Sequence, residues 1–136
     1  MADEHNSIQR INPEGMMKNS AFSQAVTTYG YGKTIYIGGQ NAVNADREIV
    51  GNDIEIQTGQ AMQNVQTALS ACNAGFEHLV KLSIYIVQGQ NPVAAFQASQ
   101  KFLGTANPPA ITVVFVAGLA NPGFLIEIDA IAFIPI

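Results

Sequence analysis

The chain has 136 residues, with 6 Lys+Arg against 10 Asp+Glu and a net charge of −4. Charged residues make up 12% of it, about half of the ~25% usual in a soluble domain, whereas the hydrophobic fraction of 48% is ordinary. The 11 Asn and 11 Gln outnumber the charged residues. This composition excludes a disordered chain and a nucleic-acid binder that works through bulk positive charge.

The length predicts one domain over residues 1–136, with a flexible tail at 1–6. The single Cys72 cannot form an intramolecular disulfide, and the polar, acidic start has no pattern of a secretory signal. No apolar run reaches the roughly 20 residues of a membrane-spanning helix. We therefore expect a cytoplasmic protein that does not contact a membrane.

Three short strands are predicted in the first third of the chain. Residues 7–11 alternate in polarity, and residues 24–29 and 34–38 are rich in β-forming side chains. The glycine-containing turn between the last two segments predicts that they form a hairpin. Gly38 and Gly39 end the third strand at a place where we expect unusual backbone dihedral angles.

The middle of the chain predicts two helices with a strand between them. Apolar residues at three- and four-residue spacing favour a helix from Asn52 or Asp53 to Gly75, followed by a strand over residues 79–87. Asn91 with Pro92 starts the second helix, which Gly104 ends. We expect one side of this helix to carry Phe96, Ser99 and either Phe102 or Leu103.

Two long strands close the sequence, at residues 110–117 and 124–134. Both are nearly apolar on both faces, which is typical of strands buried on both sides. The last 35 residues contain no Lys or Arg, and their only charges are Glu127 and Asp129. A period of two residues places these two carboxylates on one face of the last strand.

The element order β-β-β-α-β-α-β-β predicts an α+β fold, a mixed sheet with two helices packed on one face. The second face of the sheet then stays uncovered, although the last two strands are apolar there. We expect another subunit to cover it.

Several segments in this order resemble the RidA/YjgF family, also labelled the L-PSP endoribonuclease family. The resemblance runs from about Ser20 to Ile134. It implies a chorismate-mutase-like fold and a homotrimer with three small-molecule clefts between subunits. The segments that carry it are residues 21–26, 37–40, 60–69, 80–81, 107–110 and 126–132, the last reading Ile-Glu-Ile-Asp-Ala-Ile-Ala.

Family members of the deaminase type hydrolyse reactive enamines and imines, such as 2-aminoacrylate, and hold the substrate carboxylate with an arginine. That arginine follows a Pro-Ala dipeptide, and in this chain Ile111 stands there. Lys18 is the one basic candidate to replace it. The resemblance places a catalytic carboxylate at Glu127. It places the ligand-binding positions at Phe22, Gly38, Gln97, Ile111 and Val113. Gly39, beside Gly38, is a further candidate, because backbone N–H groups of the two glycines can bind an anion in the cleft.

Two functions follow from this pattern. The chain is either a divergent enamine or imine deaminase with an altered substrate, or a non-deaminating relative with a small-molecule-binding or regulatory role. The family's ribonuclease label has no support here, because no basic patch is present. We expect no nucleic-acid partner, no cofactor and no metal site. Cys72 is interpreted as a small buried hydrophobic residue, and His78 as an exposed or capping histidine.

Overall fold

The computed structural model describes residues 6–104 and 107–136. The order of strands and helices along the chain is the predicted one. The predicted tail lies outside the described residues except for Asn6, whose Oδ1 accepts a hydrogen bond from the Tyr31 amide. The strands are β1 (Ser7–Ile11), β2 (Ala25–Tyr29), β3 (Gly32–Gln40), β4 (Leu79–Val87), β5 (Ala110–Val116) and β6 (Ile126–Pro135). The helices are α1 (Ile54–Ala71) and α2 (Pro92–Leu103), with a 3₁₀ turn at Phe76–His78.

Four strands form the main sheet, in the order β3-β6-β4-β5. β4 and β5 are parallel and are connected through α2, whereas β6 runs antiparallel to both of its neighbours. β6 therefore lies inside the sheet, while β5 is an edge strand.

The predicted hairpin between β2 and β3 is wrong. β2 pairs with β1 in a separate two-stranded sheet, and β3 pairs with β6. The reason is burial: the pairing of β3 with β6 puts Ile35 and Ile37 opposite Ala132 and Ala130, in the core of the molecule. A hairpin of two strands has no comparable apolar surface to bury.

The core lies between the main sheet and the two helices, which pack on the same face of it. Its residues include Ile35, Ile37, Leu82, Ile84, Ile86, Ile126 and Ile128 from the sheet, Ala61, Met62, Val65 and Leu69 from α1, and Ala95 from α2. The predicted α+β architecture is thus confirmed. No helix in the described part of the chain is long and apolar enough to cross a membrane.

β5 is not buried on both faces within one chain, contrary to the expectation from its apolar sequence. Val113 is 49% exposed, Val114 38% and Phe115 48%. The apolar pattern does not distinguish an inner strand from an edge strand, because a strand that another molecule covers has the same pattern. β6 lies between two strands of the sheet, but Glu127, Asp129 and Ile131 on its second face are half-buried, so it is not fully buried on both faces within one chain either.

The ends of α1 show one confirmed prediction and one that is wrong. Asp53 is the N-cap and accepts a hydrogen bond from the Ile56 amide. The helix ends at Ala71 and not at Gly75, because Asn73 takes a left-handed conformation with φ 61°. The amide of Ala74 then donates to Leu69 O at 2.9 Å, which satisfies a terminal carbonyl and stops the helix.

α2 begins after Asn91 and ends before Gly104, as predicted. Its buried residues are Ala95, Ala98 and Ser99, whereas Phe96 is 48% exposed. Phe96 is thus outside the core, although its three-residue spacing from Ser99 places both on one side of the helix, as predicted. The small side chains on the buried side let the helix lie close to the rest of the molecule, and the larger ring stays at the surface.

Candidate functional site

A groove with a volume of about 290 Å³ lies between α2 and the edge of the main sheet. This size is close to the lower limit of roughly 300 Å³ for ligand pockets. One wall is helical and the floor is formed by strands. The lining residues are Asn19, Ala21, Phe22, Thr58, Ile84, Ile86, Pro92, Ala95, Phe96, Ser99, Gln100, Ile111, Val113 and Ile126.

The wall that α2 provides follows from helical spacing. Its lining residues are separated by three or four positions, so they form one stripe along the helix. Asn91 fixes where this stripe begins, because its side chain accepts hydrogen bonds from the amides of Val93 and Ala94. The residues of the stripe are Pro92, Ala95, Phe96, Ser99 and Gln100.

The floor and the opposite wall come from β5 and from the segment before β2. Ile111 lies opposite Leu82 in the β4–β5 register, so it is on the sheet face that carries the helices. Ser23 ties its segment to the start of β5, because its amide donates to Pro109 O at 2.9 Å and its hydroxyl to Pro108 O at 2.6 Å. This connection holds Phe22 at the groove.

No charged side chain lines the groove among the residues that the structure describes. Its polar side chains are two carboxamides, Asn19 and Gln100, and two hydroxyls, Thr58 and Ser99. Sequence reasoning missed these four residues. The helical stripe with Phe96 could have pointed to Gln100, whereas nothing local in the sequence relates Asn19 or Thr58 to α2.

Glu127 lies on the other face of the sheet. It follows Ile126, which lines the groove, and neighbouring strand residues point to opposite faces. The side-chain Nδ2 of Asn41 donates to Glu127 Oε1 at 3.3 Å and to Ile126 O at 3.0 Å. One asparagine therefore binds both the carboxylate and the backbone beside it.

Gly39 makes room for this carboxylate. A Cβ at Gly39 would lie 2.5 Å from Oε2 of Glu127. The strand does not end at the two glycines, as expected from the sequence, but continues to Gln40 through a β-bulge between Ile37 and Gln40. Neither Gly38 nor Gly39 has a positive φ angle. The glycine at position 39 is needed for close approach of Glu127 and not for an unusual dihedral angle.

Tyr85 and Asp129 form a second polar contact on the same face as Glu127. The negative charge of Asp129 raises the pKa of Tyr85, and a hydrogen bond to the same carboxylate adds to the effect. Glu127 lies directly opposite Tyr85 in the β4–β6 register and Ser83 lies opposite Asp129. The prediction that both carboxylates share a face is confirmed.

The residues that the sequence proposed for one site thus separate into groups within a single chain. Phe22, Ile111 and Val113 line the groove, whereas Glu127, with Gly39 against it, lies across the sheet. Gln97 is exposed on α2 and does not line the groove. Lys18 is paired with Glu14 at 2.9 Å. It does not line the groove either.

The remaining candidates have local structural roles. His78 Nδ1 accepts a hydrogen bond from the Gly75 amide at 3.0 Å, so it is a capping histidine, as predicted. Cys72 is half-buried against the core and caps the end of α1. In residues 6–104 and 107–136, no group of three or more His, Cys, Asp or Glu side chains is arranged to hold a metal ion.

The family model described as Endoribonuclease L-PSP matches residues 14–134. The chain belongs to this family. Protein DfrA of Myxococcus xanthus is 31% identical over 112 residues, which cover 82% of this chain and 83% of DfrA. A RutC family protein of Synechocystis is 29% identical over 117 residues, with 84% and 86% covered. The crystal structure of YyfB from Yersinia pestis, a Rid family protein of unknown function, matches with a TM-score of 0.83 and 36% identity over 93% of this chain and 98% of that one.

These matches confirm the resemblance found in the residues. The structural comparison supports the same family, because the matching structure from Yersinia pestis is a Rid family protein and the match covers 93% of this chain. The two curated relatives are covered over 83% and 86% of their own length.

Proposed function

We propose that this Rid family protein binds small, uncharged and largely apolar molecules in its grooves and is not a deaminase of amino-acid-derived imines. The observation that carries the proposal is the absence of any charged side chain among the described residues that line the groove. Ile111 occupies the position where the resemblance places the substrate-binding arginine. An unpaired carboxylate against this apolar wall would lose its hydration without gaining a partner.

The proposal includes a homotrimer with its ligand clefts between protomers. Support comes from the exposed apolar residues of the edge strand, Val113 to Phe115, and from the position of Glu127 on the opposite face. A groove on one protomer meets a Glu127 carboxylate only if a neighbouring protomer provides it. In that arrangement Glu127 would orient water at the cleft, with Asn41 and Gly39 fixing its position.

Within this proposal the chemistry has two forms. If Glu127 reaches the ligand, the protein hydrolyses neutral enamines or imines in place of amino-acid-derived ones. If it does not, the protein binds its ligand without changing it. The uncharged lining favours a neutral ligand in both forms.

The test compares the hydrolysis of 2-aminoacrylate by the wild type and by Ile111→Arg. A charge-assisted hydrogen bond to a carboxylate contributes about 1.5–3 kcal/mol. We therefore expect a wild-type rate near the uncatalysed one, and a gain of roughly tenfold or more in the variant. Val93→Arg, which places the same charge at a position 58% exposed on α2, is the control and should stay inactive.

Consumption of 2-aminoacrylate by the wild type at the rate of an efficient enzyme would refute the proposal. No gain in Ile111→Arg would mean that an arginine at this position is not sufficient, and that the residues at the other predicted ligand-binding positions Phe22, Gly38 and Val113 also prevent this reaction. A gain in Val93→Arg would show that added positive charge anywhere on the surface is sufficient.

A further inference from the structure

The polar groups of the groove have hydrogen-bonding capacities that restrict the ligand further. The Ser99 hydroxyl donates to Phe96 O at 2.8 Å, and the Thr58 hydroxyl donates to Ile54 O at 2.7 Å. A hydroxyl has a single hydrogen to donate. Towards a ligand, a hydroxyl whose hydrogen is used in this way can only accept. Ser99 is 3% exposed and Thr58 0%, so Ser99 is the hydroxyl that a ligand in the groove can reach.

The two carboxamides have the complementary capacity. Asn19 Oδ1 accepts a hydrogen bond from the Ala21 amide at 2.8 Å, which orients the carboxamide and leaves its NH₂ group for a ligand. Gln100 lies next to Ser99 at the groove, and its side chain has no hydrogen-bond partner among the described residues. It offers the same kind of donor.

The groove therefore presents donors from two carboxamides together with an acceptor from the Ser99 hydroxyl, and no charged side chain is among the described residues that line it. A ligand that satisfies both needs a carbonyl oxygen for the NH₂ groups and an N–H for the hydroxyl oxygen. A neutral carboxamide has both groups on adjacent atoms. A carboxylate has no donor, and the described lining residues include no charged partner for it.

Resting on the proposed function, we infer that the ligand of this groove is a small neutral carboxamide with an apolar body. An imine or enamine that carries such a carboxamide in place of a carboxylate is the corresponding substrate class. Ser99 is the specificity-determining acceptor, and Asn19 and Gln100 supply the donors. The rings of Phe22 and Phe96 contact the apolar body.

The test measures dissociation constants by NMR titration of the full chain with four probes of similar shape. Benzamide has both amide groups, N,N-dimethylbenzamide has the carbonyl alone, benzoate has a charge, and toluene has no polar group. We expect benzamide to bind about tenfold more tightly than each of the others, since one or two extra hydrogen bonds are worth that much. The unpaired acceptor of Ser99 makes N,N-dimethylbenzamide weaker than benzamide.

Three variants locate the effect. Ser99→Ala and Gln100→Leu should each weaken benzamide binding severalfold and leave toluene binding unchanged, which also shows that the groove is intact. Gln63→Leu, at an exposed position of α1 outside the groove, is the matched control and should change neither. A loss of benzamide affinity in Gln63→Leu equal to that in Gln100→Leu would overturn the inference.

The outcomes separate this inference from the proposed function. If toluene and benzamide bind equally well, the carboxamide inference is wrong and the proposal of an uncharged ligand remains. If benzoate binds most tightly, or none of the neutral probes binds, the proposed function itself fails and the inference fails with it.

Discussion

Glu127 keeps its position through two neighbours that act in different ways. Gly39 contributes only the absence of a side chain, since a Cβ there would lie 2.5 Å from the carboxylate. Asn41 contributes a hydrogen bond, and its second bond to Ile126 O ties that contact to β6. A carboxylate held from both sides keeps one orientation, which a group that positions water or a ligand requires.

We expect the contact between Tyr85 and Asp129 to make the free energy of unfolding decrease at alkaline pH. Its pKa is raised from 10.0 by Asp129, so the folded state favours the protonated phenol. This contribution to stability is fully present below the ordinary tyrosine pKa and is lost as the pH rises through the folded-state pKa. We expect wild-type stability to fall between neutral pH and about pH 11 by more than that of Tyr85→Phe. Denaturant midpoints measured over this range test it.

Tyr36→Phe provides the control for this experiment. Tyr36 lies opposite Ile131 on β6, on the same face of the sheet, and is 76% exposed. Its replacement should leave the pH dependence of the wild type in place. A pH profile of Tyr85→Phe that matches the wild type would contradict the role given to the contact with Asp129.

At the scale of residues, the sequence predicted part of the site in two ways. The family resemblance gave Phe22, Ile111 and Val113, which line the groove. A period of two residues gave the shared face of Glu127 and Asp129, because the face that a strand residue occupies depends on its position in the strand. The remaining residues of the groove come from segments far apart in the chain. Asn19 and Thr58 reach it through the packing of a loop and of α1, which no short-range pattern encodes.

At the scale of elements, the helix ends show what sequence signals control. Asn91, Pro92 and Gly104 have the preferred chemistry for a cap, a first turn and a stop, and α2 begins and ends there. The hairpin of β2 and β3 failed for the opposite reason. A glycine turn permits a hairpin, but β3 is more stable beside β6, a strand nearly a hundred residues further along the chain.

Asn91 gives the prediction at this scale. Its side chain accepts hydrogen bonds from two amides of the first turn of α2, at 2.9 and 3.4 Å. Asn91→Ala should lower the free energy of unfolding by about 1 kcal/mol, within the range of ~0.5–2 for a lost N-cap. Urea denaturation at one fixed protein concentration measures it. Because α2 forms one wall of the groove, ligand affinity should fall as well.

Asn52→Ala is the matched control, since Asn52 is exposed and precedes the cap of α1. It should change the unfolding free energy by less than about 0.5 kcal/mol. An equal loss in both variants would mean that asparagines in these loops matter for a reason other than capping.

At the scale of the whole molecule, the proposed trimer predicts the effect of a charge on the edge strand. Val114 is half-exposed on β5, in a run of apolar side chains. If a neighbouring copy covers this strand, Val114→Glu places an unpaired carboxylate in the contact, which is strongly unfavourable. We expect light scattering to give three times the 14.5-kDa chain mass for the wild type and a smaller mass for the variant.

Val93→Glu puts the same charge on the exposed surface of α2 and should leave the assembly unchanged. A wild-type mass equal to one chain would rule out the trimer. A Val114→Glu variant that keeps the wild-type mass would place the contact between copies somewhere other than β5.

The position of β6 also determines when the fold can be completed. β6 lies between β3 and β4 in the sheet, yet it follows both of them in the chain. While the ribosome is still producing the residues before Ile126, β3 and β4 have no partner between them and the apolar face under the helices has a gap. The sheet thus closes in a single late step, which joins segments distant in sequence and is accordingly slow. Until then, the free edges of β3 and β4 can pair with other chains, so a growing chain is most prone to aggregation just before this strand emerges.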